Sequence, residues 1–451
     1  MAKPEGLDPP RPRQYSCDVL VVGGGPTGSA ASYWLASEGI DVLCVEKKHF
    51  PREKTCGDGL TPRSVRQLRD MGLESALAGS HRYEGLRSVA FGRELEMQWP
   101  RHPDFPSYGY TITRFNLDQI VNEHAAKAGA VVWQGAEAVE PLSAPHSVTA
   151  LGARRAGGAV VIDKERDTRT DVRARYVIVA DGSLSRFGRS LGSLRDRAYP
   201  QGMAIRGYFR SPRHDDAYIE SHLDIRDRSG KVVPGYGWIF PLGDGRVNVG
   251  IGLLSTSERW KGLNTTKLME EFVAFAPRSW CISPATACSV PTGGRLPMGL
   301  SVRPRVGGDF LLAGDAAGAI NPFNGEGIAY GWETGRIAAR AVTRALASES
   351  EAAAAAGLAS YEAELEREYA RYYAIARAFV KVIEDPRIMR SLVAAGMVVP
   401  PAMRGVLRIM ANLNRRDRRV GFDALYRGLV KLSEARDSHL GYSAPAGWPQ
   451  R

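Results

Sequence analysis

Three glycines spaced Gly23-x-Gly25-x-x-Gly28 stand where the apolar run Val19 to Val22 meets a helical pattern that continues through Leu35. Strand, tight turn and helix in that order can grip a pyrophosphate. Gly23 permits the turn, Gly25 lets backbone approach the phosphates, and Gly28 lets the helix pack closely on the strand. Pro26 and Thr27 open the helix, whose N-terminus offers unpaired N–H groups and the positive end of its dipole. A second strand, Asp41-Val-Leu-Cys-Val45, ends in Glu46, with Lys47 beside it. An acid there accepts the ribose hydroxyls of an adenosine with a free 2′-OH, so the pattern points to FAD or NAD rather than NADP.

Two further strand ends carry acid-and-glycine turns. Tyr176 to Val179 runs into Ala180-Asp181-Gly182, and Asp309-Phe-Leu-Leu-Ala313 runs into Gly314-Asp315. Loops leaving the carboxyl edge of an open α/β sheet line its ligand crevice, so these distant segments belong to one nucleotide site. The loop from Phe50 to Pro62 adds a thiol, Cys56, beside Gly57; Pro51, Gly57, Gly59 and Pro62 forbid regular structure there. Cys56 reads as the only cysteine outside a strand or core segment, either a reactive group or a small loop residue. Arg114 and Asp118 fall four apart on the next helix, the spacing of a plain surface ion pair.

The elements that must hold these groups divide the chain. The expected fold is α/β: a discontinuous Rossmann-like domain from residues 15–80, 113–192 and 303–346, whose last piece includes a long helix over 325–346. A sheet-rich substrate domain, 81–112 and 193–302, is inserted into it. Alternating Val247, Val249 and Ile251 suggest antiparallel strands over a binding cavity. Residues 347–451 read as helical, broken at Pro386 and Pro400-Pro401. Within them Met403, Val406, Leu407, Met410 and Leu413 have helical spacing, edged by Arg404, Arg408, Arg415 and Arg416. That is either a core-packing helix or a basic interfacial one.

A chain of 451 residues can bury two or three cores. Its net charge of +11 favours acidic partners such as anionic lipid heads or a phosphorylated substrate. No nucleic-acid motif accompanies the charge, so no nucleic-acid partner is expected. Residues 1–14, proline-rich and without an apolar run, read as a disordered lead-in rather than a signal peptide. Five cysteines without metal-ligand spacing read as free thiols in a reducing compartment, with no metal site. No apolar run reaches 18 residues. The expected location is cytoplasmic, with a peripheral contact at the inner membrane face as its refinement.

The glycine motif with Asp181-Gly182 and Gly314-Asp315 resembles the FAD fingerprint set of the aromatic-hydroxylase-like flavoproteins. That resemblance implies non-covalent FAD rather than NAD, with Asp315 on the ribityl chain. Three stretches then resemble the geranylgeranyl reductase family: Phe50-Pro-Arg with Cys56-Gly-Asp-Gly-Leu60, Pro234-Gly-Tyr-Gly-Trp-Ile-Phe-Pro241, and Asn321-Pro-Phe-Asn-Gly-Glu-Gly-Ile328. The resemblance spans about residues 15 to 430 and is nearest the actinobacterial branch that saturates an isoprene unit of a menaquinone tail. It implies hydride transfer from reduced flavin to a prenyl double bond of a lipid substrate. It places Cys56 and Gly57 near the flavin, Tyr236 and Trp238 at the reaction centre, and Phe240, Pro241 and Pro322 on the lipid cavity. Arg114, Gly325, Gly327 and Ile328 join the cofactor contacts.

The chemistry needs a proton as well as a hydride, because an unactivated alkene has no carbonyl to polarise. No histidine stands in these motifs, which leaves a thiol or a backbone-held water as donor. Trp238 and Phe240 can stabilise carbocation character by cation–π attraction, or serve as ordinary core. With no second nucleotide fingerprint, the electron donor is NADPH or NADH binding transiently, or a ferredoxin-like protein. The rival within the fold is a flavin monooxygenase or halogenase. Halogenases carry Trp-x-Trp-x-Ile-Pro where this chain has Tyr236-Gly-Trp-Ile-Phe-Pro241. A non-catalytic flavin-bearing lipid carrier is the alternative outside enzymology.

Overall fold

The computed structural model describes residues 11–143, 153–233, 235–254, 264–383 and 386–414. Its central strand is Gln14–Val22, in which Val19, Leu20 and Val21 are wholly buried, as a strand covered on both faces requires. Parallel neighbours are Val42–Glu46 on one side and Thr168–Val179 on the other. Val131–Gln134 extends the sheet beyond the first, and the antiparallel Gly158–Asp163 and Ala136–Pro141 extend it beyond the second. Phe310–Leu312 pairs parallel with the end of Thr168–Val179.

Register explains why the acid-and-glycine turns meet. Val45, Val22, Val179 and Leu312 are successive partners across the sheet. The strands therefore end along one edge, where Glu46 closes its strand and Gly23, Asp181 and Gly314-Asp315 follow the others. Helix Pro26–Ser37 rises from that edge against the strand, and helix Ile328–Leu346 crosses it. Close packing needs glycine: a Cβ on Gly28 would lie 1.8 Å from the Gly23 carbonyl oxygen, and one on Gly335 would lie 2.6 Å from that of Thr27. The long helix starts at Ile328 rather than 325, because Gly325 has φ +75° and still belongs to the preceding turn.

A second seven-stranded sheet runs in the order Thr292–Pro297, Gln201–Arg210, Arg246–Leu254, Gly235–Pro241, Tyr218–His222, Gly85–Ala90, Arg93–Gln98. It is antiparallel except where Tyr218–His222 meets Gly85–Ala90 in parallel, since those two come from separate stretches of the chain. Val247, Val249 and Ile251 do not face a cavity. They form a buried cluster with Leu268, Met269, Phe272 and Val273 of helix Thr265–Phe275. The opposite face carries Tyr236, Trp238 and Phe240, with ring centroids 5.8 and 6.3 Å apart. Gly252 and Gly250 stand opposite the first two, and a Cβ on Gly250 would meet the Trp238 ring at 2.3 Å.

The C-terminal part is helical: Glu351–Leu365, a π-turn, Arg371–Ile383, Pro386–Val398 and Pro400–Met410. Met403, Leu407 and Leu413 are buried with Tyr83, Met97 and Trp99, so the apolar face of that helix is core and is not the face offered to lipid. Arg415 and Arg416 lie outside the described residues. Among the described residues of this C-terminal part, the large apolar side chains left exposed are Ile388, Leu392, Val398 and Val399, on the preceding helix and its turn. Among the described residues no single helix is long and apolar enough to cross a membrane.

Two smaller expectations also need correction. Residues 11–14 are ordered: the central strand begins at Gln14, and Arg11 pairs with Asp163 at 2.8 Å. Residues 1–10 lie outside the described residues. Cys56 is not the only cysteine outside strand and core, for Cys281 and Cys288 are exposed in irregular backbone.

Candidate active site

The phosphate cradle is built from backbone. Gly25 caps helix Pro26–Ser37 without a side-chain bond, which leaves the first N–H groups facing outward. Glu46 accepts from the Gly24 N–H at 3.0 Å and the Lys48 N–H at 3.1 Å, and Arg52 Nη2 stands 3.4 Å away. Oε2 takes the Gly24 and Arg52 donors, and Oε1, which takes only the Lys48 N–H, keeps a lone pair for a further donor. Arg52 also bonds Asp118 at 3.0 Å, and Arg114 holds Asp118 through two bonds of 2.5 and 2.7 Å. Arg114 and Asp118 are both buried, so their spacing marks an interior clamp and not a surface pair.

Across the edge, the Asp181 carboxylate accepts from the Phe187 N–H at 2.9 Å. Burial pushes its pKa up, against the pull of nearby Lys47. Gly314 has φ +61° and donates to Thr334 Oγ1; a Cβ there would strike Thr27 Oγ1 at 2.1 Å. Asp315 is raised by burial and lowered by Lys54 and Arg114. A Cβ on Gly327 would sit 3.1 Å from Asp315 Oδ1, which brings the long helix's uncapped start to the same place. Arg52 Nε is buried with no partner. Two bare helix N-termini, an unpaired guanidinium N–H and carboxylates at the rim suit a group with a pyrophosphate and many hydroxyls, as FAD has.

The Cys56 loop lies against the aromatic face of the second sheet. Asp58, with φ +62° and no exposure, ties it down. Its Oδ2 accepts from Tyr208 Oη at 2.6 Å and Asn248 Nδ2 at 2.8 Å, and its Oδ1 from the Arg114 N–H at 3.2 Å. Asn248 also donates to the Cys56 carbonyl at 2.8 Å and accepts from Trp238 Nε1 at 2.9 Å. The Asp58 N–H points at Cys56 Sγ, 3.4 Å away. Burial pushes Asp58 up to about 6, against those donors and Arg206. Burial also raises the Cys56 thiol, less the pull of Arg114, so at neutral pH it stays protonated.

Tyr236 and Phe240 are half-buried, whereas Trp238 is buried and its indole is committed to Asn248. Trp238 thus braces the loop rather than forming an open wall. A Cβ on Gly57 would sit 3.2 Å from Phe240. Tyr236 Oη donates to the Asn324 carbonyl at 2.7 Å, and burial pushes this phenol up to about 12. The Pro241 carbonyl accepts from Thr111. Pro322 is buried near Gly299, and Ile328 is buried in a cluster that Cys56 packs against.

A family model described as "FAD binding domain" matches residues 16–373. The chain belongs to this FAD-binding family. It is 39% identical over 431 residues to the menaquinone reductase of Mycobacterium tuberculosis, covering 95% of this chain and 99% of that one. It is 31% identical to digeranylgeranylglycerophospholipid reductase 1 of Methanopyrus kandleri, covering 82% and 91% respectively. A crystal structure of a geranylgeranyl bacteriochlorophyll reductase-like protein from Thermoplasma acidophilum superposes with a TM-score of 0.71 at 26% identity, over 84% of this chain and 91% of that one. The α/β fold expected from the motifs, with its FAD-binding sheet, inserted sheet and helical C-terminal region, is the one this flavoprotein adopts.

Sequence reasoning missed several residues of this flavoprotein's site. Asp58 stood inside a motif already singled out, and its signal was an acid among glycines. Asn248 had a weaker signal, a lone amide between Val247 and Val249. Tyr208 had none. Arg52 stood in the Phe50-Pro-Arg stretch and Asp118 in a spacing that read as a surface pair, but their interior roles come from residues far away in the chain.

Proposed function

We propose that this flavoprotein saturates a carbon–carbon double bond in the prenyl chain of a lipid, a menaquinone tail or a geranylgeranyl group. The observation that carries the reading is the Cys56 loop, locked by Asp58 and Asn248 against Tyr236, Trp238 and Phe240. It is supported by relatives of nearly full length that are named for reducing menaquinone and digeranylgeranyl lipids. Reduced FAD supplies the hydride when bound. Gly23, Gly25, Pro26, Thr27, Gly28 and Glu46 would hold its adenosine diphosphate half; Lys47, Asp181, Gly314 and Asp315 would hold its ribityl side, with Gly325, Gly327 and Ile328 beyond. Tyr236 and Phe240 offer apolar ring faces to a prenyl segment and keep water from it. Arg114 positions Cys56 through Asp58 and holds Asp118 for Arg52.

The test is mass spectrometry of the lipid after anaerobic incubation with dithionite and a prenylated quinone, or with geranylgeranyl diphosphate. A product heavier by a pair of hydrogens supports the reading. Substrate-dependent oxygen uptake with a hydroxylated product would replace it by a monooxygenase.

A prenyl lipid, nearly insoluble in water, would have to be collected at a membrane surface. The stretch from Pro386 to Asn414 contains Arg387, Arg390, Arg404 and Arg408 and no acidic residue. Its exposed Ile388, Leu392, Val398 and Val399 supply apolar side chains for the headgroup boundary. An anionic leaflet complements both features and the overall charge of +11.

A further inference from the structure

We propose that Glu326 is the acid that protonates the alkene, an inference resting on the prenyl-reduction reading. Its carboxyl group is held between the two motifs that meet at the aromatic face. One is its own turn, Asn321 to Gly327, where a Cβ on neighbouring Gly325 would sit 3.5 Å from Tyr236 Oη. The other is the end of the Cys56 loop and the helix Pro62–Asp70 that follows it: Thr61 and Ser64 donate to Glu326 Oε1 at 2.5 and 3.1 Å. Glu326 Oε2 is buried and has no partner. With two hydroxyl donors on Oε1, the acid proton belongs on Oε2, the one oxygen free to deliver it.

The electrostatics agree with that placement. Burial pushes Glu326 up to about 7, against Thr61, Arg63 and Ser64, and Glu333 adds to the rise. The groups facing it are Arg63 from helix Pro62–Asp70, Glu333 and Tyr330 from helix Ile328–Leu346, and Tyr83 from strand His81–Tyr83. Arg63 does not hold it ionised, being committed to Glu333 at 2.8 Å. Two rivals are weaker. Asp58 already accepts three bonds and serves the loop. The Cys56 thiol has its pKa raised by burial, and a weaker acid is the poorer donor to so weak a base as an alkene.

The step balances. The alkene π pair takes the proton from Glu326 Oε2, forming one C–H bond and leaving a cationic neighbour carbon. That carbon accepts a hydride from the two-electron reductant of the cradle, reduced FAD, forming the second C–H bond and leaving the cofactor oxidised. Glu326 is left as carboxylate and regains its proton from water.

Glu326→Gln and Glu326→Asp test the assignment. The ionised acid cannot donate, so the parent's rate at saturating dithionite should fall as pH rises through about 7. Glu326→Gln should keep its FAD, lose turnover by about 100-fold or more, and lose that limb. Glu326→Asp should restore part of the rate and the limb. Independently of turnover, infrared difference titration of the oxidised holoenzyme should show a carboxyl titrating near 7 that is absent from Glu326→Gln. If Glu326→Gln does not fold, the parent's titration and the aspartate variant decide.

Parent-like rate and pH profile in Glu326→Gln would overturn the proposal, as would a parent rate that holds through pH 9, the behaviour of a thiol donor. A parent that saturates no prenyl bond, though its carboxyl titrates near 7, would sink the substrate reading and the role built on it.

Discussion

Alanine at position 25 separates what the cofactor needs from what the fold needs. Gly25 has φ −72°, a conformation any residue adopts. A Cβ there would find its nearest neighbour, Arg52 Nη2, at 3.5 Å, an ordinary contact. The flavin-free fold should therefore barely notice it. Restricting the unfolded chain contributes about 0.4–1 kcal/mol of stability, and alanine's poorer N-capping removes a similar amount. The methyl does, however, stand where the first turn's N–H groups approach the pyrophosphate. Displacing one phosphate oxygen forfeits a charged hydrogen bond of about 1.5–3 kcal/mol. That is roughly a 10- to 150-fold weaker Kd for FAD.

The assay pairs fluorescence titration of deflavinated protein with FAD and chemical unfolding of the same preparation. Unchanged affinity would refute the placement of the pyrophosphate against Gly25. Several kcal/mol of lost stability would refute the claim that the space is open to the protein. Gly28→Ala is the contrast. Its Cβ meets the Gly23 carbonyl oxygen at 1.8 Å, and Gly23, with φ +101°, is itself wedged against the Ala180 carbonyl. No side chain can swing away, so this variant should lose stability beyond the ~1–3 kcal/mol of ordinary overpacking.

Cys56→Ala should keep its flavin spectrum and the parent's fall in rate above about pH 7, with turnover lowered only as far as the loop loses its packing; loss of that pH limb would return the proton to the thiol. Asn248→Ala strands the Trp238 indole N–H and removes one donor from Asp58. It should cost roughly 2–4 kcal/mol in urea unfolding, and a loss under 1 kcal/mol would show that the loop is held otherwise. Parent protein should sediment with anionic liposomes and release as salt shortens the reach of its charges. Replacing Ile388, Leu392, Val398 and Val399 by serine should abolish sedimentation yet spare turnover of a short soluble prenyl analogue. Parent protein that ignores anionic liposomes at low salt would show that this face serves something else.

What was legible in the sequence was local. The strand–turn–helix at Gly23 to Gly28 and the two later acid-and-glycine turns declare themselves within a few residues. One property of parallel sheets, ligands at the carboxyl edge, suffices to bring them together. The clamp around Cys56 was not legible, because Asp58 meets Tyr208 and Asn248 across separations of 150 and 190 residues. Spacing alone showed that Arg114 and Asp118 pair, but not that Arg52 joins them in the interior. Periodicity likewise showed an apolar face on helix Pro400–Met410. Whether that face meets lipid or core depends on Tyr83, Met97 and Trp99, which lie hundreds of residues earlier in the chain.

The same C-terminal helix joins the proposed membrane face to the proposed acid. Its last carbonyl, Met410, accepts from Asn321 Nδ2 at 3.0 Å, Asn324 Nδ2 at 3.3 Å and Tyr372 Oη at 2.9 Å. Two residues on, the Asn412 carbonyl accepts from Arg63 at 3.1 Å. Asn324 in turn receives the Tyr236 hydroxyl and, through its side chain, the Glu326 N–H. The turn that carries Glu326 therefore hangs from the end of the helix whose partner, Pro386–Val398, bears the exposed apolar residues. A shift of that helical pair on a bilayer would reach the turn through these polar bonds. Rebuilding them in a new arrangement would leave buried amides unpaired at about 1–3 kcal/mol each, so the pair and the turn should move as one piece.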